Sequence, residues 1–333
     1  MGDVILFFLH SLYSVGGDAV LNYTLLRARR IKNDEYYTLR SDIETELVNY
    51  QDHFKDKVVY CNCDTPESEF VKYFMFNFKR LAIKELLCSC WNGEDDNRKS
   101  LFSSSNKKSY YYSFDGASDG LIQHGLNGSG SYDSKECLEL LQRADIIVTN
   151  PPFTKLTDFI SMLIKHEKKF IIVGPKICPG YKELFPFFKD NKIWTGNRSM
   201  NSDMWFKVPS ATQYERIVDG VPCKRVMACW FTNLDIPKRH ARYNFTHKYT
   251  ESDYSKYTNY DAIEVSSIFE IPDDYYGVMG VPITFFDVYD PEQFEVIDIN
   301  PHFLYTSLSS GTQLKLHGKN DPYVRILVRR RMS

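Results

Sequence analysis

The chain has 333 residues, 41 Lys and Arg against 43 Asp and Glu, and a net charge of −2. A 43% hydrophobic share with 23 Tyr and 23 Phe is enough for a sizeable core and excludes a disordered chain. The balanced total excludes a uniformly basic polyanion binder but hides segregation. Residues 1–150 carry 17 basic and 22 acidic side chains, residues 176–249 carry 13 and 6, residues 250–300 carry 1 and 12, and residues 301–333 carry 6 and 1. The basic middle segment and the basic tail could face phosphates, because affinity for nucleic acid follows local charge. Taken alone, each reads equally as solvated surface.

No apolar run reaches the ~20 residues of a membrane span. The nearest, Val4 to Tyr13, is broken by His10 and preceded by Asp3 rather than a basic start. A cytoplasmic chain is expected, with no membrane partner and with residues 1–30 as a leader of no assigned role. Eight cysteines in such a chain read as free thiols. The pairs Cys61/Cys63 and Cys88/Cys90 have one intervening residue, where structural zinc sites use about two to four; alternation on a strand would set each pair on one face, and no metal is expected.

Lys57 to Tyr60 reads as a short strand, followed by a helix over Glu67 to Leu81 with Asp64 or Thr65 as N-cap and Pro66 in its first turn. Ile83 to Cys88 predicts the next strand. Residues 92–134 are rich in Gly, Ser and Asn, and Tyr110, Tyr111 and Tyr112 within them predict a hairpin. A helix over Lys135 to Gln142 leads to Asp145 to Thr149, whose continuous apolar run reads as a buried parallel strand. Asp158 to His166 predicts a helix, and Lys169 to Val173 another strand, closed by Gly174-Pro175. Strand, helix, strand at these spacings argues for an α/β domain with a largely parallel sheet, with ligands beyond the carboxyl ends of its strands. After residue 175 the regularity fades into short β-type runs such as Val226 to Thr232 and Val281 to Val288.

Asn150-Pro151-Pro152-Phe153 follows directly on the buried strand. An amide-like or aniline-like nitrogen is a poor nucleophile because its lone pair is delocalised. The Asn150 carboxamide oxygen and the Pro151 carbonyl can both accept hydrogen bonds from one –NH2 group, favouring a pyramidal nitrogen without a general base. Two prolines fix the backbone, so these acceptors are organised in advance. Phe153 offers a face for a planar base, worth about 1–3 kcal/mol. Read alone, the tetrapeptide could also be a proline-stiffened loop.

Together with 33–38 (N-D-E-Y-Y-T), 58–66 (V-V-Y-C-N-C-D-T-P), 145–153 (D-I-I-V-T-N-P-P-F), 230–235 (W-F-T-N-L-D) and 277–285 (G-V-M-G-V-P-I-T-F), the chain resembles the EcoRI-type adenine-specific DNA methyltransferases, from about Ile31 to Arg331. The resemblance implies a Rossmann-like class I methyltransferase sheet over 31–175, with S-adenosylmethionine as cofactor, and a target-recognition region over 176–333. It implies Asn150, Pro151, Pro152 and Phe153 as catalytic residues. Tyr37 and Thr38 correspond to the segment against the methionine end of the cofactor, and Cys61, Asn62 and Asp64 to the turn after the first strand. That turn lacks the glycines usual in such enzymes, a departure the EcoRI-type group shares. Gly128 and Ser131 fall in the turn expected near the cofactor's adenine, with Ser131 where an Asp is common. Ser89-Cys90-Trp91 replaces the usual ribose-binding acid, so that contact is not carried over.

The expected substrate is duplex DNA with its target adenine flipped out, and the expected partner a restriction endonuclease acting on the same site without a stable complex. Among the cations of 176–249, Lys176, Lys182, Lys192, Arg198, Lys207, Arg216, Lys224, Arg225, Lys238, Arg239 and Arg242 then become candidates for DNA contact, with Asn197, Arg198, Asn201, Lys238 and Arg239 singled out. Residues 250–300 are expected to turn away from the duplex. The same acceptor chemistry would serve RNA or a protein glutamine, and the missing glycine turn would suit a catalytically silent DNA-binding relative.

Overall fold

The computed structural model describes residues 37–91, 109–208, 214–300, 313–321 and 323–332. The expected leader over 1–30, most of the 33–38 segment and residues 92–108 lie outside these. Five strands of the first half are β2 (Val58–Asn62), β3 (Glu85–Ser89), β4 (Ser109–Phe114), β5 (Ile122–Leu126) and β6 (Ile146–Thr149). With β7 (Lys169–Pro175), β8 (Trp194–Thr195) and β12 (Ala228–Thr232) they form, among the described residues, one eight-stranded sheet in the order β5-β4-β3-β2-β6-β7-β12-β8. The central four, β3, β2, β6 and β7, are parallel.

Their sequences alternate between two buried faces, which is why they read as continuous apolar runs. Tyr60, Ile147, Phe170 and Ile172 enter one core cluster; Val59, Cys61, Val148, Ile171 and Val173 enter the other. Helix α1 (Arg40–Leu47) and helix α2 (Glu69–Asn77) cover the second face through Ile43, Leu47, Phe70, Val71 and Phe74. Helices α3 (Lys135–Arg143), α4 (Leu156–Lys165) and α5 (Phe185–Lys189) cover the first through Leu140, Leu141, Phe159, Ile160 and Phe188.

Two expectations shift. Helix α2 begins at Glu69, not Glu67, because the Ser68 hydroxyl accepts from Val71 N–H at 3.2 Å while Thr65 to Ser68 forms a turn. The run after Val281 is strand only to Pro282, since Ile283–Asp287 winds into a 3₁₀ turn. The main sheet also takes in strands from beyond residue 175. Strands β12 and β8 extend it, β12 pairing antiparallel with β7 from Ala228↔Pro175 to Thr232↔Ile171.

Beyond the sheet lies a four-stranded antiparallel ladder, β1 (Tyr37–Thr38), β9 (Met204–Lys207), β11 (Val221–Val226) and β10 (Arg216–Val218), in that order. The chain after residue 250 builds a second sheet, β13 (Ile263–Glu264), β14 (Val278–Pro282), β18 (Arg325–Arg330) and β15 (Phe294–Asn300), and a short antiparallel pair, β16 (Lys315–Leu316) and β17 (Lys319–Asn320). Met279, Val281, Phe294 and Ile326 of the second sheet belong to the same core cluster as α3 and α4. Inside it Arg325 is buried, donating to Asp321, Glu264 and the Val265 carbonyl, so its charge is fully paired.

Phe159 sits at the centre of the α4 interface, fully buried and edge-on to Tyr132 at 5.2 Å. Phe159→Ala is expected to cost about 3–5 kcal/mol of unfolding free energy. Urea titration checks this, and a loss below about 1 kcal/mol would place the residue outside the core.

Candidate active site

Strand order reverses between β2 and β6: the chain passes from β2 outward to β3, then returns to β6 on the other side and continues to β7. In open α/β sheets a crevice for ligands forms at such a switch point, outside the carboxyl ends of the strands. Here the ladder between β2 and β6 registers only at Val59↔Ile146 and Tyr60↔Ile147, whereas β2 and β3 stay paired as far as Asn62↔Ser89. The last residues of β2 and β6 therefore separate, one strand leading into Cys63-Asp64-Thr65-Pro66 and the other into Asn150-Pro151-Pro152-Phe153.

A single side-chain bond closes the base of this crevice: the Thr149 hydroxyl donates to Asp64 Oδ2 at 2.6 Å. Burial pushes the Asp64 carboxyl up to about 7, against the opposing hydrogen bonds of Thr149 and Ser68. Cys63 has φ 81°, a left-handed conformation that favours glycine, so the chain makes its turn here without one. The amides of Cys63 and Asp64 both donate to the Ser89 carbonyl, at 2.9 and 3.0 Å, tying the turn to β3. Cys63 thus lies past the strand and does not share a face with Cys61 as alternation predicts. Burial raises both thiols well above the ordinary cysteine range, leaving them neutral and unreactive. Among the described residues no three His, Cys, Asp or Glu side chains are placed to hold a metal ion.

The buried polar atoms of the described residues that have no hydrogen-bond partner include Asn62 Nδ2 at the end of β2, next to the turn, and Thr38 Oγ1 at the end of β1. An unmet buried donor costs about 1–3 kcal/mol, and a ligand acceptor would relieve it. An open cleft of about 210 Å³ lies beside the turn, lined by Asp64, Thr65, Pro66, Glu67, Cys90, Ser109, Tyr110 and Tyr112. The Gly128 to Asp133 turn closes on the end of β3. Gly130 has φ +74°, and a Cβ there would stand 2.6 Å from the Cys90 carbonyl oxygen, so only glycine fits. Glu136 holds the turn by accepting from the Asn127 and Gly128 amides at 2.9 and 2.8 Å, and Ser131 donates to Asp133. These residues fit a ligand with hydrogen-bond acceptors at one end and a planar group at the other. Tyr37 is exposed and Thr38 buried on β1.

After β6, Pro151 is buried, Asn150 half-buried and Pro152 exposed. The Pro152 carbonyl accepts from Lys155 N–H at 2.9 Å, closing the 3₁₀ turn Phe153–Lys155. Phe153 is half-buried against the core cluster under β1 and β9.

The singled-out cations separate into two places. Glu46, 1% exposed, accepts from Asn197 N–H at 2.6 Å, Arg198 N–H at 2.9 Å and the Tyr50 hydroxyl at 2.8 Å. Gly196 makes this possible, since a Cβ would stand 2.3 Å from Glu46 Oε1 and 2.5 Å from Trp230 Cβ. The Arg198 guanidinium pairs with Asp42. Lys238 reaches Asp287 and the Gly196 carbonyl, both at 2.9 Å, and Asp287 also accepts from Ser199 at 2.8 Å. The charges of Arg198 and Lys238 are therefore engaged within the protein, where they fix the loop after β8; Asn201 is exposed at its rim. Arg239 lies elsewhere, 3.5 Å over the Trp194 ring in a cleft with Lys168, Lys169 and Asn233 at the amino ends of the parallel strands. Sequence reading misses the anchors Asp42, Glu46 and Asp287; buried acids carry no local signal that separates them from surface acids.

Comparison with known proteins identifies the chain's kin. The family described as "Adenine-specific methyltransferase EcoRI" matches residues 24–331. The chain is 40% identical to the Type II methyltransferase M.EcoRI of Escherichia coli, covering 92% of this chain and 96% of that one. It is 36% identical to the Type II methyltransferase M.MpnI of Mycoplasma pneumoniae (92% and 98% covered) and to M.MgeORF184P of Mycoplasma genitalium (91% and 98%). No solved structure matches it. A large mixed sheet with helices on both faces fits a class I methyltransferase. The chain belongs to the EcoRI-type family of adenine-specific methyltransferases. No helix of the described residues is long and apolar enough to cross a membrane.

The raised Asp64 pKa gives a signed pH dependence. The unfolded carboxyl ionises near its ordinary value while the folded one stays protonated up to about 7, so the folded state binds more protons in between, and stability falls as pH rises through that window. Asp64→Asn is expected to flatten this fall in urea titrations compared at about pH 5 and about pH 8. A variant whose pH profile parallels the wild type would contradict it.

Proposed function

We propose that the protein transfers a methyl group from S-adenosylmethionine to the N6 amine of a specific adenine in duplex DNA, as the modification half of a restriction-modification pair. The observation that supports this most is the meeting, across the splayed ends of β2 and β6, of the Asp64 turn with Asn150-Pro151-Pro152-Phe153, in a chain of this family.

The cofactor, when bound, supplies an activated methyl group on sulfur. Asn62, Asp64 and Thr38 would hold it at the crevice, with Gly128 to Ser131 on its far side. Asn150 Oδ1 and the Pro151 carbonyl accept the two N–H groups of the adenine amine, directing its lone pair away from the ring. Phe153, held by core packing, supports the base by stacking. An adenine within a duplex cannot reach strand ends, so it enters flipped.

We assign target recognition to the chain beyond residue 176. Arg198 and Lys238 serve it by fixing the Gly196 to Asn201 loop, from whose rim Asn197 and Asn201 would face DNA. A restriction endonuclease of the same specificity would be the functional partner without binding this chain.

Purified protein with labelled S-adenosylmethionine and duplex DNA is expected to yield N6-methyladenine on nucleoside digestion. Asn150→Ala should lower transfer by about 10²–10³-fold or more, the scale for losing one preorganised acceptor or donor, while DNA binding persists. Label in RNA or in protein glutamine, with none in DNA, would overturn the substrate assignment; cofactor binding without transfer to any acceptor would identify a silent relative.

A further inference from the structure

The ladder β1-β9-β11-β10 has one face on the core and one outside. Register places Tyr37 opposite Lys207, Lys207 opposite Cys223, and Cys223 opposite Arg216, so these four form a row across all four strands. The next row on the same face pairs Trp205 with Arg225. Thr38, Met204 and Phe206 point the other way and are buried, Met204 and Phe206 in one cluster with Trp230.

The outer face is therefore cationic and aromatic. Lys207, Arg216 and Arg225 are exposed, Trp205 is half-buried and Cys223, between Lys207 and Arg216, is buried, with the Arg216 guanidinium 5.0 Å above the Trp205 ring. Facing acids are few: Asp203 lies 3.5 Å from Arg225 in a pair whose side chains are 54% and 45% exposed, and Glu215 and Asp219 border the β10 strand. A surface pair of this kind contributes little and yields to a stronger anion. Asp219 and Gly220 both have positive φ, 49° and 76°, the geometry of a two-residue hairpin turn whose twist matches its strands.

Its position is also defined. Strands β9 and β11 meet at Met204↔Val226, two residues before Ala228, which pairs with Pro175 at the carboxyl end of β7. The ladder thus rises from the sheet edge that carries Asn150, and Phe153 and Val226 both pack on the cluster that holds Met204 and Phe206.

We infer that this outer face, centred on Trp205, Lys207, Arg216 and Arg225, grips the sugar-phosphate backbone of the DNA strand beside the flipped adenine. The inference rests on the duplex-DNA reading above. Strands ~4.8 Å apart put the three cations within about 10 Å of one another, a stretch over which one DNA strand, with one charge per ~3.4 Å of axis, presents about three phosphates. Trp205, held by Arg216, presents a flat apolar edge to sugar or an unstacked base, which lysines alone would not provide.

The test uses the full chain and a fluorescein-labelled random-sequence duplex, since binding to the backbone does not depend on sequence. The triple variant K207A/R216A/R225A should bind the duplex at least about tenfold more weakly at moderate salt. Its log affinity against log salt slope should be shallower by about two to three, at roughly 0.9 for each phosphate no longer neutralised. Binding of S-adenosylmethionine, by calorimetry, should match the wild type and shows that the variant is folded. If calorimetry fails, K207Q, R216Q and R225Q are measured singly, each expected to lower the slope by about one. Unchanged duplex affinity and slope, in a protein whose wild type methylates DNA, would overturn the surface and leave the function standing. A weakening seen for RNA but not for duplex DNA would overturn it too. A wild type that transfers no methyl to DNA would instead remove the underlying reading.

Discussion

The separation of β2 from β6 is the constraint on which the site depends. Two parallel strands that stay paired to their ends leave no room between them. Here the ladder stops at Tyr60↔Ile147, and beyond it the Thr149 hydroxyl bridges to Asp64. That bond joins the turn assigned to the cofactor with the residue immediately before Asn150. Its cost is a buried carboxyl pushed up to about 7, an arrangement typical of sites where position matters more than stability. Without glycines, the turn relies on Cys63 at positive φ and on two amides held by the Ser89 carbonyl.

A second constraint governs the substrate side. The loop after β8 is fixed by three acids, Asp42, Glu46 and Asp287, which between them engage the backbone at Asn197 and Arg198 and the charges of Arg198 and Lys238. Two of the thirteen cations counted over 176–249, Arg198 and Lys238, are neutralised in this way. Three others, Lys207, Arg216 and Arg225, lie exposed on the outer face of the β1-β9-β11-β10 ladder. Part of the acidic 250–300 stretch turns inward: Asp287 holds Lys238, and Glu264 holds Arg325.

The central strands and the helices between them are legible in the sequence because both strand faces are buried, so local apolar runs carry the information. Asn150 to Phe153 is legible for the same reason: its position depends on a strand that announces itself. The two-residue β8 and the antiparallel β12 cannot be assigned to the main sheet from sequence, since their pairing is set by residues far away in the chain. Arg198 and Lys238 read as DNA contacts because a charge is visible in sequence while its partner, 156 or 49 residues away, is not. The ladder face is hidden likewise: Tyr37, Lys207 and Arg216 become neighbours only through register.

The most direct measurement is a crystal structure of the protein with S-adenosylhomocysteine. The ligand's sulfur is expected between the carboxyl ends of β2 and β6, with Asn62 or Thr38 contacting its amino-acid end and the Asn150 carboxamide facing the sulfur across open space. Ligand bound instead at the opposite edge of the sheet, in the cleft of Lys168, Lys169 and Arg239, or a β2-β6 ladder closed through Thr149, would contradict a site built on the splayed strand ends.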